Sequence, residues 1–252
     1  MREIRIACRS LAETARLGGA LAGVVRAGDT IALRGELGAG KTTLVRMLCA
    51  GLGVAEGIVS SPTFVIAQEY PVVGRAAGRA AAAGEGGEGA ALVPIGRVVH
   101  IDAYRLRSAG ELEEAATGAF APDAVTVVEW PERCAGAMPS GMIEVEIGHA
   151  GGPEGEEARW VVVRVPERAA GRSGMDRLEA LEADGRADVL AGGRTGGRVD
   201  TTCPVTGRFV AAECPTWPFS DERARMADLE RWFSGRYTVS RPAERSDIEE
   251  GD

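Results

Sequence analysis

The sequence predicts an α/β fold whose sheet is parallel at least in its core, and three observations predict it. Short apolar strands alternate with helices from Arg2 to Val165. A glycine-rich loop lies between one of those strands and the helix that follows it. The 252 residues are 45% hydrophobic and 26% charged, an ordinary globular composition with enough chain for a medium domain and a small second module.

The elements follow in order. Arg2 to Ala7 alternates as a short strand, and Ser10 to Ala27 reads as a helix. There Leu11, Ala15, Leu17, Leu21 and Val24 recur at helical spacing behind Ser10 as N-cap. Gly28-Asp29 turns the chain into a buried strand, Thr30 to Arg34, and an apolar helix runs from Lys41 to Leu52. Further strands are expected at Phe64–Tyr70, Val98–Asp102, Ala124–Glu129, Ile143–Ile147 and Trp160–Val165, with a helix from Ser108 to Gly118. Gly74 to Ala91, almost all Gly, Ala, Glu and Arg, reads as a flexible loop. These elements divide the chain into a first domain at 1–168, a linker at 169–198 in which Met175 to Asp184 could be helical, a module at 199–242 and an acidic tail at 243–252.

Composition narrows the function. A net charge of -8 disfavours a chain that grips nucleic acid by itself. The five cysteines are scattered and odd in number, which argues against a disulfide framework. No leader follows Met1-Arg2-Glu3, and no run of about 18 apolar residues suggests a membrane span, so a cytoplasmic protein is expected. The 29 basic residues include a single lysine, Lys41, in a chain without asparagine.

That lysine sits in Gly35-Glu36-Leu37-Gly38-Ala39-Gly40-Lys41-Thr42, a complete G-x-x-x-x-G-K-[ST] phosphate-binding motif between a strand and a helix. Glycines let successive backbone N–H groups turn toward phosphate oxygens, and the following helix directs its positive end at the same anion. Lys41 then reaches the β- and γ-phosphates as a compact point charge, where a forked guanidinium would not fit. The Thr42 hydroxyl reaches Mg²⁺, and Thr43 completes the nucleotide-contacting run. The fold class is therefore a P-loop NTPase sheet, with ATP and Mg²⁺ as expected ligands.

Three more blocks carry candidate residues: Ser60-Ser61-Pro62-Thr63-Phe64, His100-Ile101-Asp102-Ala103-Tyr104-Arg105, and Val128-Glu129-Trp130-Pro131. Asp102 ends a strand, where a carboxylate can hold a Mg²⁺ water or accept from Thr42; capping the segment at Tyr104 is the alternative. Glu129, also at a strand end, can orient or activate water, or pair with Arg105 or Arg133. Lys41, Asp102 and Glu129 are thus the candidate catalytic residues, and Thr42, Asp102 and Glu129 the candidate Mg²⁺ ligands. Thr63 reads as a switch residue near the γ-phosphate, or as part of a turn set by Pro62. Trp130 packs near the nucleotide or in the core, and His100 reads as a packed strand residue before a catalyst.

Over residues 4 to 166, the order and spacing of these blocks resemble the TsaE/YjeE family of bacterial P-loop ATPases. The resemblance implies a weak, partner-activated ATPase required for threonylcarbamoyl modification of adenosine 37 in tRNAs reading ANN codons. It implies TsaD and TsaB as partners, with no stable direct tRNA binding alone and no membrane. It likewise places an Asp and a Glu of the active site at Asp102 and Glu129. A small-molecule P-loop kinase and a nucleotide-gated interaction module are the competing classes. A GTPase is disfavoured, because the guanine-reading N-K-x-D motif needs an Asn.

The segment from Cys203 to Tyr237 resembles the small YacG zinc-ribbon family, associated with DNA gyrase. On the resemblance Cys203 keeps the first ligand position, while Thr206, Ser220 and Ala224 occupy the other three, so no zinc site is expected. Phe219, Met226, Leu229, Trp232 and Phe233 then form an apolar helix face expected to pack on Phe209 or Trp217. A metal-free module of about forty residues is marginal alone and is expected to lean on the first domain or a partner.

Overall fold

A seven-stranded mixed sheet organises the first part of the protein in the computed structural model. The structure describes residues 1–55, 57–62, 66–73, 93–116, 118–150, 158–184, 201–203, 205–211, 214, 216 and 219–233. The chain divides into two units, Met1–Arg194 and Thr195–Asp252.

In the first unit the elements run β1 (Arg2–Cys8), α1 (Leu11–Val24), β2 (Thr30–Gly35), α2 (Lys41–Leu52), β3 (Ala67–Pro71), β4 (Arg97–Asp102), α3 (Ala109–Ala115), β5 (Ala124–Glu129), β6 (Ile143–His149), β7 (Arg159–Val165), α4 (Glu167–Ala170) and α5 (Met175–Asp184). Strand order is β1-β7-β6-β2-β5-β4-β3. The central four, β6, β2, β5 and β4, are parallel, and β7, β1 and β3 join antiparallel. A parallel centre must be covered on both faces, and the alternation of apolar residues does this. Val98, Val125, Val127, Ile31 and Leu33 pack into one core with α1, α2 and Leu178 of α5, while Val99, Ile101 and Val128 pack into another with Leu112 and Cys134.

Local chemistry sets the helix boundaries. Ser10 caps α1 by accepting from the Glu13 N–H at 3.3 Å, while Glu13 accepts from the N–H of Arg9, just before the cap, at 2.5 Å. Ser108 caps α3 through the Glu111 N–H in the same way. Both helices are shorter than their apolar spacing suggests, because Val25 and Ala116 leave helical geometry. The expected strand from Phe64 is seen only as β3, residues 63–65 lying outside the described ones.

The first unit extends beyond residue 168, where the sequence reading begins a linker. Met175 and Leu178 are buried, and α5 packs against α1 and β1. Asp29 fastens this extension. Its buried carboxylate accepts from the Arg26 N–H at 2.8 Å, from Arg168 at 3.0 Å, and from both terminal nitrogens of Arg172. Opposite charges so close offset the cost of burial, and removing one leaves the others unpaired. Asp29→Ala is expected to cost about 3 kcal/mol, read as a lower urea midpoint; an unchanged midpoint would show the cluster to be idle. The rest of the expected linker, the Gly74 to Ala91 stretch and the acidic tail lie outside the described residues.

The second unit contains a two-stranded ribbon, β8 (Thr201–Thr202) with β9 (Phe209–Val210), and α6 (Glu222–Phe233). Cys203, Val210, Phe219 and Ala224 are buried. Met226 and Phe209 are exposed, whereas Met226 was expected on an apolar face packing on Phe209 or Trp217. Trp217 and the side chains of Leu229, Trp232 and Phe233 lie outside the described residues. Among the described residues, no helix is long and apolar enough to cross a membrane.

Candidate functional site

The phosphate-binding loop turns between β2 and α2 at the carboxyl edge of the parallel strands. Gly35 has a φ of +150°, and a Cβ there would stand 2.3 Å from the Ile147 carbonyl oxygen, so only glycine lets β6 run this close. Gly38 and Gly40 hold φ values of +78° and +99°, and nothing lies within 4 Å of a Cβ built on either. Gly40 is the N-cap of α2, and among the described residues no side chain caps it, so the helix's first N–H groups can meet an anion. An open cradle of this kind fits a phosphate chain.

Lys41 is 5% exposed. Its ammonium donates to the Gly35 and Glu36 carbonyls at 2.9 and 2.8 Å and lies 3.9 Å from the centre of the Trp130 ring. Burial pushes its pKa down, while Glu129 and Asp102 hold it up. Trp130 has a φ of +59°, the sole non-glycine residue in the left-handed region among the described ones. That turn, followed by Pro131, carries the indole off the end of β5 to stack beside Tyr104, ring centres 5.1 Å apart, and over Lys41. Trp130 therefore packs both against the core and against Lys41 of the loop.

Asp102 and Glu129 end β4 and β5 as register partners. Glu129 is 3% exposed, and its Oε1 accepts from the Thr42 hydroxyl at 2.9 Å. His100 Nε2 meets the same oxygen at 2.8 Å. Asp102 caps the turn after β4, accepting from the Tyr104 N–H at 3.0 Å. Burial and the neighbouring Glu129 raise its pKa. The set of one hydroxyl and two carboxylates supplies hard oxygen donors, the chemistry that suits Mg²⁺. Thr63 lies outside the described residues. Ser60, just before it, is tied to β3, since Tyr70 donates to the Ser60 carbonyl at 3.0 Å and the Ser60 hydroxyl donates to Gln68 at 3.2 Å.

Two parts of the site escaped the sequence reading. His100 is a packed strand residue, as expected, but its contact with Glu129 was missed; it lies two residues before Asp102, hence on the same face of β4, and that alternation was the available signal. Arg159, 120 residues from the loop, donates to the Ala39 carbonyl at 3.0 Å. It also lines a cavity of about 270 Å³ together with Gly40, Thr43, Ser10 and Thr14. Nothing local in the sequence predicts that closure.

A phosphate loop on a parallel strand, backed by two strand-end carboxylates, defines a P-loop nucleotide-binding protein. Comparison with known proteins gives the family. Residues 8–157 match the profile described as "Threonylcarbamoyl adenosine biosynthesis protein TsaE". A Streptomyces coelicolor protein named tRNA threonylcarbamoyladenosine biosynthesis protein TsaE is 41% identical over 148 residues, 58% of this chain and 86% of its own length. The Bacillus subtilis protein of the same name is 31% identical over 147 residues, 57% of this chain and 77% of its own. A crystal structure of Bacillus subtilis YdiB superposes with a TM-score of 0.48 at 23% identity, covering 73% of this chain and 96% of that one. The chain belongs to the TsaE family. The second unit lies beyond the matched residues.

In that second unit three of the expected ligand positions, Cys203, Thr206 and Ser220, are joined by hydrogen bonds. The Thr206 and Ser220 hydroxyls are 2.9 Å apart, and the Thr206 N–H donates to Cys203 Sγ at 3.4 Å. Burial raises the Cys203 pKa, but the Thr206 hydroxyl and the N–H groups of Ser220, Thr206 and Val205 outweigh it and bring the thiol to about 6. Among the described residues, no three His, Cys, Asp or Glu side chains are grouped to hold a metal ion.

Proposed function

We propose that this chain hydrolyses ATP in support of threonylcarbamoyladenosine formation in tRNA, at adenosine 37 of tRNAs reading ANN codons, together with TsaD and TsaB. The observation that carries the reading is the 2.9 Å bond from Thr42 to Glu129, which joins the phosphate loop to the neighbouring strand end in a chain of the TsaE family. The loop N–H groups and Lys41 hold the phosphates. Thr42, with Asp102 and Glu129, would hold Mg²⁺, which would supply positive charge to offset that of the phosphates. Glu129 orients the attacking water, and the cavity lined by Thr43, Ser10, Thr14 and Arg159 takes the nucleoside. In cells whose own TsaE-family gene is depleted, this chain is expected to restore threonylcarbamoyladenosine in bulk tRNA, measured by mass spectrometry. Failure of the parent chain to restore it would overturn the assignment.

Asp102→Asn separates fold from chemistry. Asparagine keeps the cap on Tyr104 and removes a buried charge beside Glu129. A melting temperature equal to or above the parent's is expected, with hydrolysis lowered by about tenfold or more. A parental rate would remove Asp102 from the Mg²⁺ site.

For the second unit we propose a zinc-ribbon-like module, continuing to 242, in which the Thr206–Ser220 hydrogen bond stands where ligands would converge. Elemental analysis of the purified chain is expected to find no stoichiometric zinc, since hydroxyls of Thr and Ser are poor structural ligands; one zinc per chain would contradict it.

A further inference from the structure

The buried histidine of β4 lies outside the phosphate loop, yet it touches the Glu129 carboxylate. We propose that His100 is a positioning residue for Glu129, an inference that rests on the reading of Glu129 as the water-orienting carboxylate.

His100 is 0% exposed, and its strand neighbours Val98, Val99 and Ile101 are all apolar and buried. An apolar side chain would satisfy the packing there at no polar cost. The histidine instead places Nε2 2.8 Å from Glu129 Oε1 and leaves Nδ1 without a hydrogen-bond partner among the described residues. A carboxylate accepts, so Nε2 is the donor in this contact. Leaving a buried Nδ1 unsatisfied is unfavourable, and the Nε2 contact is the polar bond that offsets it.

The geometry also explains why Thr42 alone is an insufficient anchor. Both recorded bonds to Glu129 converge on Oε1, one from Thr42 in the loop and one from His100 on the neighbouring strand. Thr42 has a second duty, toward the cation, that competes for its hydroxyl. His100 has none, and the parallel register that pairs Asp102 with Glu129 fixes its backbone. The Tyr70 ring, 6.4 Å away and tilted by 40°, flanks it from β3. With Oε1 held from the protein side, Oε2 is left for water.

Side-chain isosteres give the test. A glutamine places its amide nitrogen near the position of Nε2, whereas an asparagine reaches only as far as Nδ1. Phenylalanine keeps the ring volume and removes both nitrogens. ATP hydrolysis is measured on full-length H100Q, H100N and H100F with TsaD and TsaB present, alongside KM, nucleotide affinity and melting temperature. H100F and H100N are expected to lose about tenfold or more in kcat, the scale of a hydrogen bond to a charged group, with KM and affinity within about twofold. H100Q is expected to recover most of the rate. Parental kcat in H100F would overturn the proposal, as would an H100Q no faster than H100N when both melt like the parent. If H100F does not fold, the H100Q and H100N pair decides. Coupling separates this inference from the reading beneath it. In the Glu129→Gln background, whose lowered rate is still measurable, H100F should cost nothing further. A full additional loss there would show that His100 does not act through Glu129, and a parental rate in Glu129→Gln would remove the reading on which it rests.

Discussion

Lys41→Ala is expected to abolish measurable ATP binding and to lower hydrolysis by on the order of 10²–10³-fold, the scale of removing one preorganised charge donor. No other lysine exists in the chain to replace it. Its ammonium stays buried against carbonyls and the Trp130 ring, with Glu129 and Asp102 holding its charge. Burial opposes that charge, so removing it should leave the fold intact, with a melting temperature within about 4 °C of the parent's. Arginine should not rescue, because a planar fork cannot take the place of a point charge between phosphates. Isothermal titration with ATP and Mg²⁺ checks the prediction, and parental affinity in Lys41→Ala would sink the loop assignment.

Glu129→Gln is expected to separate binding from chemistry. Glutamine keeps the volume and can still accept from Thr42, so the loop and its helix should hold nucleotide within a few-fold of the parent affinity. Hydrolysis is expected to fall by about 10²–10⁴-fold, the range for loss of a positioned general base. The loss should appear in kcat, since a water-orienting carboxylate acts mainly in the transition state. Equal losses in affinity and rate would instead make Glu129 a support for Thr42.

How much of this was legible in the sequence follows from how local each feature is. The phosphate loop is contiguous, so Gly35 to Thr42 could be read from spacing alone. Asp102 and Glu129 were legible because each closes an apolar run, which places it at the end of a strand. Their partners depend on register: that His100 and Thr42 share one oxygen of Glu129 follows from the pairing of β4, β5 and β2, which no single segment encodes. The contact from Arg159 to Ala39 is longer-range still. The misplaced linker has a different cause. A helix from Met175 was legible, but not that Leu178 and Met175 are buried or that Arg168 and Arg172 converge on Asp29 some 140 residues earlier. In the second unit, apolar spacing alone could not tell that Met226 faces solvent while Ala224 is covered.

ATP hydrolysis by the full chain, alone and with purified TsaD and TsaB, tests the central claim most directly. A low rate alone, raised about tenfold or more by the two proteins and lost in Glu129→Gln, is the expected result. A rate indifferent to the two proteins, or transfer of the γ-phosphoryl group to a small molecule instead of water, would contradict it.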